Sequence, residues 1–320
     1  MRESKATPCS LVHYAVHAET LNGLKGEMKA KRRDLGHQRR RVGVLFMLPA
    51  LALVSAFLGL PILQAIYYSF TQWDGITAVW KGISTYSHEL RDPIFWRVLE
   101  NNSLLLIGIP VAMLLPMGIA FLLNEKVPGW NIFRSIYFLP TAISWVVIGM
   151  VSLRFFAQQG LLNGILKGFG LGFIHTDLLS SERGALLAVS ITFIWSMVGT
   201  NTIIFLTGMA TLDNSLNEAA RMDGASNLRI FRSITLPQLQ RFIQFSFIIT
   251  VISAFTALFS LIFVMTGGGP GFGTTTLEFF IYQNAFSRGD FGTGAMLGVI
   301  LFLMMAVLGI GQLAIMRSKE

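Results

Sequence analysis

Long apolar segments separated by short polar stretches dominate the pattern of hydrophobic and polar positions along the chain. A helix needs about 20 apolar residues to cross the hydrocarbon core of a bilayer, and each segment has about that length or more. The pattern therefore predicts an all-α polytopic membrane protein, because a spanning helix satisfies its own backbone hydrogen bonds. The six predicted spans are at about 42–70, 103–123, 135–153, 185–208, 242–265 and 291–315.

One further apolar piece, residues 161–173, is too short to span. We expect it to form a re-entrant or interfacial helix. The remaining polar stretches, 71–97, 157–183 and 266–290, fall on the opposite side from the ends of the chain if the six spans alternate.

Basic residues identify the cytoplasmic side. The segments on the side of the chain ends hold 18 of the 25 Lys and Arg residues: ten in residues 1–41, Lys126 and Arg134, four between Arg221 and Arg241, and two at the C-terminal end. Because cytoplasmic loops of membrane proteins are enriched in Lys and Arg, both termini are predicted to be cytoplasmic.

The composition supports this class of protein. The chain is 53% hydrophobic and only 13% charged, against about 25% charged residues in a soluble domain. The net charge of +8 would suit nucleic acid, but the basic residues follow the membrane pattern, so we predict lipid and no nucleic acid as a partner. The single cysteine, Cys9, excludes an internal disulfide and a cysteine metal site.

Residues 1–41 form a polar, basic segment without apolar periodicity. We expect a disordered cytoplasmic tail. Lys25-Gly26-Glu27 precede Met28, and codons for these residues can spell a purine-rich ribosome-binding sequence. The hypothesis that follows is that translation begins at Met28.

No charged residue lies within the core of any predicted span. Carriers coupled to protons or sodium usually hold the ion with buried ionisable groups or broken helices, so an ion-coupled secondary carrier is disfavoured. A sodium site built only from carbonyl and hydroxyl groups stays open. Residues 266–273 are glycine-rich but lack the Lys-Ser/Thr of a phosphate loop, and we find no catalytic set. The chain is therefore predicted to be no enzyme, with no nucleotide or metal site of its own.

Small polar residues follow one face of the fourth and fifth spans. They are candidates for a hydrated path for a polyhydroxylated solute. The alternative is close helix–helix packing, which selects the same residue types and is favoured at any single position, as it is for Gly294-x-x-x-Gly298. The pathway candidates are Thr192, Ser196, Asn201, Ser246, Thr250, Ser253 and Ser260.

Residues 213–240 form a polar island between two spans, with helix signals of its own. Ser215 and Glu218 have the S-x-x-E spacing of a capping box, and Gly224 is placed as a left-handed stop. Ser226 is a candidate cap for a second short helix that ends or restarts at Pro237. Its predicted apolar anchors are Leu228, Phe231 and Ile234. On local physics alone, the island fits a loop that merely caps two spans as well as it fits a binding surface.

The spacing within this island resembles the EAA loop of bacterial ABC importer permeases. Glu218-Ala219-Ala220 is followed after three residues by Gly224, after nine more by Ile234, and after one more by Leu236-Pro237. The resemblance covers about residues 42–316 and is to the maltose-type sugar permeases. The other segments that carry it are Leu48-Pro49-Ala50, Ser69 to Gly75, Phe133 to Pro140, Gly160 to Asn163, Thr266 to Pro270 and Tyr282 to Phe286.

The resemblance implies a type I importer fold in a bacterial cytoplasmic (inner) membrane. Two unlike permeases with about six helices each would form the pathway, two ATPases would bind ATP and Mg inside, and an extracytoplasmic solute-binding protein would deliver the substrate. The EAA segment would be the coupling helix, seated in a cleft of the ATPase. The residues that take this role by position are Glu218, Ala219, Ala220, Arg221, Asp223, Gly224, Ile234, Leu236 and Pro237.

Two positions depart from the family pattern: Leu153 stands where Trp is frequent, and Asp213 stands where Pro often precedes the EAA helix. Asp213 is a second candidate cap for that helix. The expected function is the permease subunit of a carbohydrate ABC importer. The alternatives are an ABC permease for a polyol or a glycerol phosphate, and an ion-coupled carrier.

Overall fold

The computed structural model describes residues 43–124, 137–171 and 177–317. Within these ranges the chain is helical apart from one short hairpin and the turns and loops that connect the elements. The predicted all-α class is therefore confirmed. The predictions made for residues 1–41, Lys126 and Arg134 lie outside the described residues.

The chain divides into two units at Gln64 and Ala65. Of the first unit, the structure describes the helix α1, which runs over Gly43–Tyr68 and contains a π-helical turn at Ser55–Gly59. Up to Gln64 no residue of α1 is buried. A helix that is apolar on all sides is typical of a membrane span.

The second unit begins with a hairpin and two helical segments. Strands β1 (Thr71–Trp73) and β2 (Ala78–Trp80) pair antiparallel. They are followed by α2 (Ser84–Glu89), α3 (Pro93–Ile107) and α4 (Ile109–Asn124). Next come α5 (Trp145–Phe156), α6 (Leu161–Gly168) and α7 (Glu182–Ala210).

The rest of the chain starts with two short helices, α8 (Asn214–Met222) and α9 (Asn227–Gln238), the latter with a π-helical turn at Phe231–Thr235. The remaining helices are α10 (Gln240–Thr256), α11 (Leu258–Met265), α12 (Leu277–Tyr282) and α13 (Phe291–Arg317). A third π-helical turn, Gln283–Ser287, extends α12.

Four of these helical segments are long and apolar enough to cross a membrane: Gly43–Tyr68, Pro93–Asn124, Glu182–Ala210 and Phe291–Gln312. Two bent pairs, α5 with α6 at 41° and α9 with α10 at 72°, bring the number to as many as six among the described residues. The structure thus has several candidate spans, and the count of six and the side of the termini stay predictions.

Some helix bounds differ from the apolar segments. The second predicted span begins ten residues earlier, at Pro93, where the Asp92 carboxylate accepts the N–H of Ile94 at 2.8 Å. The third predicted span is interrupted: residues 137–138 are helical, a 3-10 turn follows at Leu139–Ala142, and the helix resumes at Trp145. The fifth is broken at Ala257. A hydropathy pattern reports apolar content but not helix caps or helix breaks. It could therefore not predict these helix bounds.

Buried side chains form three clusters in the second unit. The largest packs α4, α5, α7, α10 and α11 around Phe193, Leu258 and Leu261. The second joins α3, α12 and α13 through Phe95, Phe280 and Leu297. The third joins α4, α7 and the start of α10 and includes Phe205, Met209 and Leu239. The third cluster lies next to the polar island and therefore positions it.

Candidate functional site

The helix that carries the EAA residues, α8, is capped by Asp213. The Asp213 Oδ1 atom accepts the backbone N–H of Ser215 at 2.9 Å, and this bond lowers the pKa of the Asp213 carboxyl. The predicted capping box of Ser215 and Glu218 is therefore wrong in its first member, and the second candidate, Asp213, is correct. Helix α8 begins at Asn214, two residues before the start that a Ser215 cap would give, so Ser215 lies in the first turn and cannot be the N-cap residue of a capping box.

The C-terminal end of α8 is closed by Gly224 in the left-handed region, at φ +78°. The N–H of Gly224 donates to the carbonyl of Arg221 at 3.0 Å, and the N–H of Ala225 donates to that of Ala220 at 2.9 Å. This pair of bonds is a Schellman motif, and the predicted left-handed stop is present. A Cβ at Gly224 would meet open space, so the need for glycine comes from backbone strain.

Helix α8 keeps apolar side chains in contact with solvent. Leu216 is 51% exposed and Met222 is 89% exposed. Glu218 and Ala219 are also exposed, whereas Ala220 is half-buried. A short exposed helix that carries two exposed apolar side chains is a candidate interaction site.

Helix α9 ties this exposed segment to the third cluster. Its buried residues are Ile230 and Thr235, each 4% exposed, and they are followed by Leu239, which is fully buried. The predicted anchor Leu228 is instead 64% exposed, because the helix turns Ile230 inward. Phe231 is half-buried and its ring lies 4.7 Å, centroid to centroid, from that of Phe121 in α4.

The last EAA residues lie where α9 turns into α10. Ile234 and Leu236 are half-buried, and Pro237 is exposed. The π-helical turn ends just before Leu236, and Pro237 has no N–H to donate to the preceding turn. Ser226 has the extended backbone of an N-cap, but its side chain makes no capping bond.

Close backbone packing joins α10 to α7 beside this turn. A Cβ added at Gly208 of α7 would lie 2.7 Å from Cγ of Phe242 and 2.8 Å from Cδ2 of Leu239. A side chain at this position would clash, and the absence of one in Gly208 allows α7 and α10 to pack tightly here. Gly208 therefore lets Leu239 and Phe242, which follow α9, pack directly against the backbone of α7.

Three of the pathway candidates form one buried hydrogen-bond network. Asn201 Nδ2 donates to the carbonyl of Ala112 at 2.8 Å, and Asn201 Oδ1 accepts from Ser246 Oγ at 2.9 Å. Asn201 Nδ2 also lies 3.0 Å from Thr250 Oγ1. All three side chains are fully buried. Their place is helix packing between α4, α7 and α10, which is the alternative favoured from the sequence.

The other four pathway candidates differ in burial. Thr192 and Ser196 are buried and donate to carbonyls one turn back in α7, at 2.9 and 2.8 Å. Ser253 and Ser260 are half-buried on α10 and α11. The pathway role stays a prediction, and it fits these last two best.

Sequence reasoning missed Asn101, which holds the glycine-rich segment after α11. Its Nδ2 atom donates to the carbonyls of Phe272 and Thr275, at 2.7 and 2.9 Å. The residue is 1% exposed. A polar pair, Asn101 and Asn102, at the outer edge of a predicted span is the signal that would have found it.

No group of three or more His, Cys, Asp or Glu side chains suitable for a metal occurs among the described residues. The described residues thus combine a short exposed helix, α8, with a second helix, α9, that packs into the third cluster.

Residues 97–319 match the family described as binding-protein-dependent transport system inner membrane component. The chain is 35% identical over 268 residues to a probable ABC transporter permease protein, PH1215, of Pyrococcus horikoshii, covering 82% of this chain and 91% of the relative. It is 34% identical over 292 residues to the sulfoquinovosyl glycerol transport system permease protein SmoG of Agrobacterium fabrum, covering 90% and 93%.

A solved structure has the same fold. It is that of a bacterial ABC transporter involved in the import of the acidic polysaccharide alginate, with a TM-score of 0.76 at 20% identity, covering 88% of this chain and 96% of the other. The family match covers more than half of the chain, and the fold agrees with it. This chain belongs to the binding-protein-dependent transport system inner membrane components, which are multi-pass proteins of the inner membrane.

Proposed function

We propose that this chain is the permease subunit of an ABC importer that takes up a sugar or oligosaccharide delivered by an extracytoplasmic binding protein. The observation that carries the proposal is helix α8, exposed with its apolar residues and fixed to the membrane core through α9. Partner ATPases would bind this helix and drive alternating access of the spans.

The geometry of α8 suits helix-in-groove recognition, in which a short helix lays its apolar face into a cleft. Small Ala219 permits a close approach, and exposed Glu218 offers an acceptor. Arg221 and Asp223 are also exposed and lie at the end of α8 that Gly224 closes. ATP and Mg would be held by the ATPases, and a second, unlike permease would complete the pathway.

The names of relatives support a glycan as the substrate. They include the multiple sugar-binding transport system permease protein MsmF of Streptococcus mutans, 30% identical over 281 residues. The sulfoquinovosyl glycerol permease keeps a polyol conjugate open as an alternative. A glycerol phosphate is less well supported, because the predicted spans carry no fixed cation.

The test of this proposal is Gly224→Asp, assayed with the partner permease and ATPase in proteoliposomes. Asp and Asn are both among the side chains that adopt the left-handed region most readily, so the decisive change in the Asp variant is the charge that its carboxylate adds at the proposed ATPase contact. We expect normal membrane levels and a loss of uptake driven by ATP. Gly224→Asn is the matched control, because Asn tolerates this region. Uptake at the wild-type rate by the Asp variant would overturn the coupling role.

A second variant, Glu218→Ala, addresses the ATPase contact directly. The expected result is weaker co-purification of the ATPase with the permease, since an exposed acceptor is lost. Ser215→Ala, one turn earlier on the same helix, should leave co-purification unchanged. Equal recovery of ATPase with the Glu218 variant would contradict the assignment.

A further inference from the structure

A polar cavity of about 360 Å³ lies between the hairpin, helix α2 and the start of α13. The hairpin and α2 belong to a segment that the charge pattern assigns to the outer side, and α13 begins directly after another such segment. Glu89, at the end of α2, lines the cavity. This cavity lies apart from the candidate coupling helix and from the buried network around Asn201.

Glu89 is a buried acid without a partner. It is 8% exposed, and its Oε1 atom is buried with no hydrogen bond. Burial raises the pKa of the Glu89 carboxyl, and the charge of nearby Asp92 adds to this effect. A buried acceptor that lacks a donor costs free energy, so the site favours a ligand that brings donors.

Three of the four hydroxyl groups that line the cavity with Glu89 already donate their protons elsewhere. Thr71 Oγ1 donates to the carbonyl of Tyr68 at 2.8 Å. Ser84 Oγ donates to the carbonyl of Lys81 at 2.7 Å. Thr293 Oγ1 donates to Asp290 Oδ2 at 2.8 Å.

Nearby charged groups do not neutralise it either. His88 and Arg288 act favourably on the carboxylate, whereas Asp92 and Asp290 act against it. Arg288 is engaged elsewhere, donating to Asn284 Oδ1 at 2.9 Å. In the part of the chain that the structure describes, no salt bridge reaches Glu89, although Lys81 lines the same cavity.

We propose that this cavity receives a Lys or Arg side chain of the extracytoplasmic binding protein, with Glu89 as its acceptor. An ammonium or guanidinium group supplies both the missing donors and the opposite charge. The proposal rests on the proposed function, since it needs a binding protein that docks on the outer side. A long basic side chain also suits a cavity whose walls carry hydroxyl groups and a second carboxylate.

The experiment uses the complete importer in nanodiscs and the purified binding protein that stimulates its ATPase. We expect Glu89→Gln to raise the dissociation constant of the binding protein at least tenfold and to reduce its dependence on salt concentration, because a charged pair is lost. Glu100→Gln is the matched control, since it removes an exposed carboxylate that pairs with Arg97. An unchanged dissociation constant in a Glu89→Gln importer with normal basal ATPase activity would overturn the proposal.

Cysteine labelling keeps the proposal testable if the Glu89→Gln importer does not assemble. Thr85 lines the cavity, and the one native cysteine, Cys9, is replaced by serine. We expect the binding protein to slow maleimide labelling of Thr85→Cys at least fivefold. Equal labelling with and without it, or protection by free sugar alone, would overturn the proposal. If no ATPase associates even with the wild-type chain, it is the proposed function that fails.

Discussion

The side-chain oxygen of Asn102 in α3 accepts the backbone N–H of Leu277 in α12 at 2.8 Å. Thr276, the residue at the N-cap position of α12, makes no capping bond with its own side chain. Asn102 therefore caps a helix that lies far away in sequence. Together with Asn101, it fixes the segment between α11 and α13 to the second predicted span.

This bond predicts a clear cost for Asn102→Ala. The variant leaves the N–H of Leu277 buried without an acceptor, so we expect a loss of about 1–3 kcal/mol in the free energy of unfolding. Denaturant titration of the purified chain in mixed micelles measures it. Ser103→Ala, at the next position, removes only an exposed hydroxyl bonded to Leu99 and should change stability by less than about 0.5 kcal/mol. Equal effects of the two changes would contradict the capping role.

Glu278 of α12, outside the predicted spans, makes stability depend on pH. Both of its carboxylate oxygens are buried without a hydrogen bond, and burial raises its pKa to about 7. The folded chain then holds a proton that the unfolded chain releases near its ordinary pKa of 4.5. The unfolding free energy is therefore expected to fall as pH rises from about 4.5 to 7, by something of the order of 3 kcal/mol.

Thermal unfolding between pH 5 and 8 tests this expectation. Glu278→Gln should flatten the decrease, because an amide does not ionise, and should unfold at a higher temperature than the wild type at pH 8. Glu100→Gln, at an exposed carboxylate, should keep the wild-type slope. A wild-type unfolding midpoint that stays constant over this range would refute the assignment.

The network around Asn201 predicts that its loss weakens packing between α4, α7 and α10. Asn201→Leu leaves the hydroxyl of Ser246 and the carbonyl of Ala112 without their partner. We expect a loss of about 1–2 kcal/mol, the upper range for hydrogen bonds between membrane helices. Ser253→Ala on the half-buried face of α10 is the control, and its stability should stay near that of the wild type. If Asn201→Leu unfolds like the wild type, the network does not hold these helices together.

The cap of α8 predicts different effects at two nearby positions. Asp213→Ala removes the acceptor of the Ser215 N–H, so hydrogen exchange at the start of α8 should become faster. Ser215→Ala should leave exchange unchanged. Because the bond lowers the pKa of Asp213, its contribution is present above the ordinary pKa of 3.8 and is lost as pH falls through the lowered value. Protection that persists in Asp213→Ala would restore Ser215 as the cap.

Hydropathy predicted the helical class because every span must be apolar along its length. It missed the first ten residues of α3, where Arg97 and Asn101 are polar. Those residues find partners far away in sequence: Arg97 Nη2 lies 2.7 Å from Glu182 Oε2 at the start of α7, and Asn101 bonds to the glycine-rich segment. A hydropathy average over neighbouring residues does not detect partners that lie far away in sequence.

The candidate coupling residues were chosen by their spacing, and their role stays a prediction. Local chemistry placed the left-handed Gly224 correctly, since its conformation depends on its own backbone. The anchor of α9 was misassigned to Leu228, because both Leu228 and Ile230 are apolar and only the packed neighbours decide which one turns inward. The role of the pathway candidates could not be decided from the sequence for the same reason. A hydroxyl group on a helix face can either pack against another helix or line a path for a solute.

The exposed Leu216 and Met222 of α8 also bear on how long a newly made copy survives. If ATPases bind α8 as proposed, a copy that has not yet met an ATPase displays these apolar side chains beside the membrane, where chaperones and proteases act on unassembled subunits. Docking hides that surface, so the same helix that would transmit movement would also report whether assembly is complete. The supply of ATPase would then limit how much of the newly made permease escapes degradation.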